Sequence, residues 1–90
     1  MLKINYTSRF KKDYKTIVKR GCDISLLEEV LEILCEQKSL PKKYRDHALS
    51  GIFLGHRECH ITQDWLLIYK IKEEELILTL TRTGTHSDLF

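Results

Sequence analysis

The spacing of apolar residues changes at Pro41, the only proline of this 90-residue chain, and that change constrains the fold most. Before it, apolar residues within positions 10–18 and 27–34 recur every three or four residues, as in amphipathic helices. Residues 2–6 alternate between apolar and polar side chains, as a half-buried strand does. After Pro41 the sequence contains three strand-like runs, at positions 52–61, 65–71 and 75–82. The predicted order of elements is β-α-α-β-β-β.

Local signals mark the ends of the two predicted helices. Thr7 or Ser8 can cap the first helix, and Gly21 suits the left-handed position that follows its last turn. Ser25 and Glu28 have the spacing of a capping box at the start of the second helix. Because the link between the helices is short, we expect them to form an antiparallel hairpin.

Length and composition predict a single domain over residues 1–90. We predict an α+β fold in which the helical hairpin packs on one face of a mostly antiparallel, four-stranded sheet. No apolar run is long enough to cross a bilayer, and residues 1–6 lack a signal peptide. We therefore expect a cytoplasmic protein with no membrane partner. Three cysteines without C-x-x-C spacing argue against a disulfide framework.

Charge is distributed unevenly between the two predicted helices. Residues 1–21 hold seven basic side chains and one acidic side chain, whereas residues 22–40 hold five acidic and one basic. A basic element favours binding to a polyanion such as RNA, because positive charge attracts phosphates without reading their sequence. A solvated basic helix face beside an acidic one accounts for the same charges.

The four histidines are the candidate acid–base residues, because an imidazole with a pKa near 6.5 exchanges protons at cellular pH. Along the strand predicted over 52–61, one parity holds apolar side chains, namely Phe53, Cys59 and Ile61. The other parity holds His56, Glu58 and His60. Since side chains alternate across a strand, the polar set should face away from the core. Simple alternation places Arg82 on the core side, so it needs a twist or bulge near the strand end to reach the polar face.

Four motifs of the chain are informative together: Tyr44-Arg45-Asp46-His47-x-Leu49-x-Gly51, Gly55-x-Arg57-x-x-His60, Asp64-Trp65-x-Leu67-Ile68-Tyr69-Lys70, and Arg82-Thr83-Gly84-Thr85-His86-Ser87-x-Leu89-Phe90. With this set the chain resembles the YafQ branch of the RelE-type toxins, closely over residues 44–90 and by pattern over the helical half. The resemblance implies the toxin of a toxin–antitoxin pair. It implies an enzyme that cleaves messenger RNA, generally in the ribosomal decoding site, and that needs no metal or other cofactor. A cognate antitoxin would neutralise it.

The resemblance also assigns site residues. It implies catalytic roles for four residues, which are His47, His60, Asp64 and His86. Phe90 matches an aromatic that holds or orients the substrate, and Glu58 matches an acidic position of less defined role. We assign five residues to substrate binding: Arg82, Phe90, Trp65, Glu58 and Arg57. His56 stands where this branch more often has another aromatic, and it receives no role.

The hypothesis for the chemistry is attack of a 2′-hydroxyl on the neighbouring phosphate, which needs a base, an acid and positive charge. His60, oriented by Asp64, would be the base or a phosphate donor, and His86 would be the acid. The base and acid labels can be exchanged without contradicting the sequence. Two further residues, His47 and Arg82, would stabilise the anionic centre, while Phe90 and Trp65 stack on a base. The product would carry a 2′,3′-cyclic or 3′-phosphate.

Other interpretations remain open at this point. Trp65 begins an apolar strand and can simply pack in the core, and Arg82 can form a structural ion pair with Glu58 or Asp64. His56 and His60 are four residues apart, a spacing that spans more than about 10 Å in a strand and so disfavours zinc. As a whole, the chain could be a ParE-like gyrase poison, or an RNA- or ribosome-binding protein without enzymatic activity.

Overall fold

The computed structural model describes residues 1–90, and it orders them into five strands and three α-helices. In chain order the elements are β1 (Lys3–Tyr6), α1 (Ser8–Lys19), α2 (Ile24–Cys35), β2 (His47–Ala48), β3 (Arg57–Thr62), β4 (Trp65–Lys72), β5 (Ile77–Gly84) and α3 (His86–Leu89). Single 3₁₀ turns at Lys42–Tyr44 and Gly51–Phe53 precede β2 and β3. No helix has the length and apolar character needed to span a membrane.

One mixed sheet organises the fold, with the strand order β1-β5-β4-β3-β2. β1 pairs in parallel with β5, and the other pairs are antiparallel. The predicted α+β class and the mostly antiparallel sheet are therefore confirmed. The predicted strand count is wrong, because β2 adds a fifth strand beside β3. Two residues are too few for a period to show in the sequence.

The helix ends agree with the sequence at α1 and differ at α2. The Thr7 side chain accepts a hydrogen bond from the backbone N–H of Phe10 at 3.1 Å, and Gly21 takes a φ of +79° after the last turn. At α2, Asp23 is the cap and accepts from the backbone N–H of Ser25 at 3.1 Å. The predicted capping box at Ser25 is wrong, because the helix already begins at Ile24 and Ser25 lies inside its first turn.

The main core lies between the helical hairpin and one face of the sheet. The helices contribute Phe10, Ile17, Leu27, Val30 and Leu34, and the sheet contributes Cys59, Leu67, Tyr69, Leu78 and Leu80. Burial of each large apolar side chain contributes about 1.5–3 kcal/mol to folding. The opposite face carries a smaller cluster of Leu66, Ile68 and Leu89. β4 is thus covered on both faces, as its apolar run predicts.

The region before β3 differs from the predicted strand over 52–61. Residues Gly51–Phe53 form a 3₁₀ turn, and Gly55 takes a φ of +89° in the turn that follows it. Phe53 packs against the smaller cluster on the opposite face, whereas the sequence placed it in the core. A left-handed glycine ends the regular alternation, so parity counted back from Cys59 does not reach Phe53.

A bulge in β5 changes the face on which Arg82 lies. Ile68 is opposite Arg82 while Tyr69 is opposite Leu80, so Thr81 is an extra residue. Directly opposed residues in an antiparallel pair point to the same face. Arg82 therefore leaves β5 on the face of Ile68, and of the twist or bulge that the sequence required, a bulge is present.

Candidate active site

Three histidines lie side by side on the sheet face opposite the helices. The rings of His47 and His60 have centroids 6.3 Å apart, and those of His60 and His86 are 5.8 Å apart. β2, β3 and α3 each present one of them. The convergence that the sequence hypothesis required is therefore found in the structure. These side chains, together with Phe90, are called the ring row below.

Glu58 lies beneath the first two histidines. Its Oε1 atom is 3.5 Å from Nε2 of His47 and 3.6 Å from Nε2 of His60, and the residue is only 3% exposed. The arrangement follows from the sheet, because Glu58 and His60 share one face of β3 and the β2–β3 register places His47 opposite Glu58. His47 Nδ1 donates to the carbonyl oxygen of Arg45 at 2.7 Å, which fixes that ring.

Asp64 contacts His86 and not His60. Its Oδ1 atom lies 3.5 Å from Nδ1 of His86 and accepts from the backbone N–H of His86 at 3.4 Å. The predicted pairing of Asp64 with His60 is therefore wrong, and Glu58 occupies the place beside His60. The register of β3 against β4 shifts between His60 and Thr62, so the positions beyond the shift no longer follow the parity of His60.

His60 has one ring nitrogen without a partner. Its Nδ1 atom is buried and makes no hydrogen bond to the protein, while the side chain as a whole is 12% exposed. A buried polar atom left without a hydrogen bond costs about 1–3 kcal/mol. This nitrogen at the centre of the ring row is therefore not committed to a partner within the protein.

Phe90 continues the row on the side of His86. Its ring centroid is 6.1 Å from that of His86 and 6.0 Å from that of Phe53, to which it is nearly perpendicular at 78°. Phe53 in turn meets His56 edge-on, with centroids 6.0 Å apart. Phe90 remains 64% exposed. The sequence singled out Phe90 and missed Phe53, because the turn at Gly51–Phe53 had been assigned to a strand.

Arg82 is held by a residue that the sequence did not single out. Its Nε donates to Oδ2 of Asp13 at 2.7 Å, and its Nη2 donates to Oδ1 at 3.1 Å. Asp13 also accepts from the backbone N–H of Thr83 at 3.1 Å. The hydrogen bond that Arg82 donates to Asp13 raises the pKa of Arg82 above its usual range. The structural ion pair therefore exists, but with Asp13 of α1 and not with Glu58 or Asp64.

Trp65 belongs to the core. It is 5% exposed, and its indole N–H donates to Oγ1 of Thr83 at 2.9 Å. The Thr83 hydroxyl in turn donates to the carbonyl oxygen of Leu66 at 2.7 Å. The assignment of Trp65 to substrate binding is therefore wrong, because a buried and hydrogen-bonded indole offers no face for stacking.

Arg57 lies on the far side of the sheet from His60. The register places it opposite Tyr69, whose side chain is in the main core. Its guanidinium donates to Oδ2 of Asp46 at 2.9 Å, and the hydroxyl of Tyr69 donates to the same carboxyl group. Burial is the main cause that raises the pKa of Tyr69. The structure does not bring Arg57 together with the histidines.

Comparison with known proteins gives the family of this chain. The pattern of the family described as the YafQ bacterial toxin of type II toxin–antitoxin systems matches residues 2–90. The chain belongs to the YafQ toxin family. The family predicted from the four motifs is thereby confirmed, and the protein is a type II toxin.

Relatives in this family match nearly the whole chain. The mRNA interferase toxin YafQ of Escherichia coli K12 is 39% identical over 88 residues, which cover 97% of this chain and 94% of the relative. A metal-bound toxin from Helicobacter pylori is 46% identical, with a TM-score of 0.94 and full coverage of both chains. YafQ in the E. coli DinJ–YafQ toxin–antitoxin complex is 38% identical, with a TM-score of 0.88 and coverage of 99% and 97%. The predicted RelE-like fold is confirmed by these YafQ structures.

The side chains of this protein form no ready metal-binding site. No group of three or more histidine, cysteine, aspartate or glutamate side chains is placed to hold an ion together. The three cysteines are free, and burial raises the pKa of Cys59 to about 12, which makes it a poor metal ligand. The prediction of metal-free chemistry stays a prediction.

Proposed function

We propose that this chain is an endoribonuclease that cleaves messenger RNA by metal-independent acid–base catalysis. The observation that carries the proposal is the ring row itself, in which three imidazoles lie with centroids 5.8–6.3 Å apart and carboxyl groups contact all three. The name of the E. coli relative, mRNA interferase toxin, supports the substrate class.

The reaction needs a base for the 2′-hydroxyl, an acid for the leaving 5′-oxygen and positive charge near the phosphorane. His60 is our candidate base, because its ring lies between those of His47 and His86 and Glu58 contacts its Nε2 atom. His86 is our candidate acid, oriented by Asp64. Each proton transfer typically contributes about 10²–10⁴-fold to the rate.

Two neighbours complete the proposed site. His47 lies across Glu58 from His60 and supplies a further donor to the phosphate. Arg82 lies on the same sheet face, and Asp13 accepts from two of its guanidinium nitrogens. A guanidinium has five N–H donors, so others stay available for a phosphate oxygen.

Phe90 is the proposed platform for a nucleobase. It is 64% exposed, and its edge contact with Phe53 holds the ring beside His86. Stacking of a base on an aromatic side chain contributes roughly 1–3 kcal/mol and tolerates any base. The platform therefore binds RNA without specifying a codon.

The proposed partners are mRNA, the ribosome and an antitoxin. The basic residues 1–21 would attract the phosphates of RNA, including those of the ribosomal decoding site in the cytoplasm. The E. coli relative is found in a complex with the DinJ antitoxin, which supports a cognate antitoxin for this chain.

The test is single-turnover cleavage of an RNA oligonucleotide, with and without ribosomes and with EDTA, followed by analysis of the product ends. We expect a 2′,3′-cyclic or 3′-phosphate, full activity in EDTA, and a loss of about 10²–10⁴-fold in His60→Gln and His86→Gln. Arg57→Gln is the matched control on the far face and should keep the wild-type rate.

Three results would overturn the proposal. Products with a 3′-hydroxyl exclude attack by the 2′-hydroxyl, and loss of ribosome-free cleavage in EDTA excludes metal-free chemistry. If His86→Gln remains as toxic as the wild type and binds RNA or gyrase equally well, the protein is a binding module and not a ribonuclease.

A further inference from the structure

The short helix α3 presents two members of the ring row. His86 begins it and Phe90 follows it directly. A helix of four residues is not stable by itself, because nucleating one turn costs more free energy than its hydrogen bonds return. Residues 85–90, called the His86 turn below, must therefore be held by contacts with the rest of the fold.

Two sets of contacts hold the turn locally. Leu89 is buried against Leu66 and Ile68 of β4. Thr85 and Asp88 form a reciprocal capping box, in which the backbone N–H of Asp88 donates to Oγ1 of Thr85 at 3.2 Å and that of Thr85 donates to Oδ2 of Asp88 at 2.9 Å. The Thr-x-x-Asp spacing of this box is visible in the sequence.

Arg20 joins this turn to the helical hairpin. It caps the C-terminal end of α1, and its guanidinium contacts both carboxylate oxygens of Asp88, with Nη2 at 3.0 Å from Oδ1. The hydrogen bond from Arg20, and after it the one from the Thr85 backbone, holds the pKa of Asp88 well below its usual range. The Asp88 carboxylate thus accepts hydrogen bonds both from Arg20 and from the backbone N–H of Thr85 in the capping box.

The carboxylate of Asp88 also lies close to the backbone of Gly84. Gly84 has a φ of +152°, and a Cβ atom there would lie 2.8 Å from Oδ2 of Asp88. Contacts below 3.0 Å to a Cβ atom do not occur without displacement. Glycine at the end of β5 therefore lets the Asp88 carboxylate approach the backbone, in the position where Arg20 donates to it.

We propose that Arg20 is a positioning residue, which acts through Asp88 to fix the turn that carries His86 and Phe90. The proposal rests on the ribonuclease function proposed above. Arg20 touches none of the ring row itself, and an isolated surface ion pair would add little to stability. Its effect is geometric, because the pair is bidentate and its acid also belongs to the capping box of the turn. A displacement of about 1 Å at a catalytic group can cost about 10²-fold in rate.

The first test compares Arg20→Gln with Lys19→Gln, its neighbour in α1, which is exposed and has no ion-pair partner. Both variants lose one positive charge from the same helix end. We expect Arg20→Gln to lower kcat for RNA cleavage by about 10-fold or more and Lys19→Gln to leave kcat unchanged. Any rise in KM from the lost positive charge should be the same in both variants. Arg20→Lys should recover part of kcat, because lysine keeps the charge but not the two-pronged contact.

The second test is independent of activity. In ¹H–¹³C spectra of the full chain, Arg20→Gln should move the imidazole signal of His86 and the ring signals of Phe90 toward disordered values. The signal of His47, on β2, should stay in place. Lys19→Gln should change none of these signals.

The outcomes separate the two proposals. If the wild type fails to cleave RNA, the proposed function is wrong, and the spectra still decide whether Arg20 orders the turn. If Arg20→Gln keeps wild-type kcat and wild-type signals of His86, or loses no more kcat than Lys19→Gln, the positioning role is overturned.

Discussion

Replacing Glu58 with glutamine is expected to stabilise the fold while it removes most of the RNA cleavage. The carboxyl group is 3% exposed, and its distances of 3.5 and 3.6 Å to His47 and His60 exceed those of good hydrogen bonds. A buried charge with imperfect partners costs several kcal/mol of desolvation. Glutamine has the same shape without the charge. We therefore expect the free energy of unfolding to rise by about 1 kcal/mol, which is roughly 4–8 °C in Tm for a domain of this size.

Activity should change in the opposite direction. Glu58 contacts both imidazoles, and an amide presents an NH2 donor in place of one of the two acceptor oxygens of the carboxylate. Loss of a carboxylate partner of a catalytic histidine costs from about 10² up to about 10⁴ in rate in comparable arrangements. The combination of higher stability and lower rate is what distinguishes a functional residue from a structural one.

The measurement is urea unfolding followed by far-UV circular dichroism, together with single-turnover cleavage. Glu28→Gln is the matched control, because Glu28 is exposed on α2 and its change should alter stability by less than about 0.5 kcal/mol. If Glu58→Gln unfolds more easily than the wild type and still cleaves RNA at the same rate, Glu58 is a structural anchor. The proposed division of roles in the site would then be refuted.

Three further predictions concern the residues around the site. Thr83→Val removes the acceptor of the Trp65 indole and should lower the free energy of unfolding by about 1–3 kcal/mol, measured by fluorescence of this single tryptophan, while RNA cleavage is unchanged. Gly84→Ala should lower both the melting temperature and kcat, because the left-handed backbone costs about 1–3 kcal/mol and the added Cβ displaces Asp88. The depressed pKa of Asp88 stabilises the folded state above the usual aspartate range, and this stabilisation is lost as pH falls through the lowered value. The Tm difference between wild type and Arg20→Gln should therefore shrink once pH drops below about 4.

The fold class was predictable because period and capping are local properties. The helical repeat, the alternation at residues 2–6 and the apolar run of β4 each report the environment of a few neighbouring residues. β2 was not predictable, because its two residues gain strand geometry only by pairing with β3. The start of α2 depended on which of two nearby polar residues captured a backbone N–H, and Asp23 did so before Ser25.

The alternation of side chains along β3 predicted which residues lie at the centre of the site. Irregularities in the strands determined the positions of the others. Glu58 and His60 share a face as expected, and the bulge at Thr81 turned Arg82 to that face. The same parity, applied to Arg57, would have placed it with Cys59 on the core side, so that error was avoidable. The partner of Asp64 was not predictable, because the register shift after His60 has no signature in the sequence.

Residues that act across long separations could not be found from the sequence. The Arg20–Asp88 pair joins positions 68 apart, and the Arg82–Asp13 pair joins positions 69 apart. Each acidic partner resembles any other charged residue on a helix or turn. Only the folded chain shows that one carboxylate clamps a turn and the other a strand edge.

The parallel pairing of β1 with β5 has a consequence for how the molecule folds. Lys3 lies beside Ile77, so the sheet closes only when segments more than 70 positions apart meet. Closing such a long loop is slow, and contacts of this kind lower folding rates. β5 leads directly into His86, so the strand that this closure secures is also the one that carries the last histidine. We therefore expect forms of this toxin in which β1 has not joined the sheet to be less harmful, because the strand before His86 is then an unpaired edge.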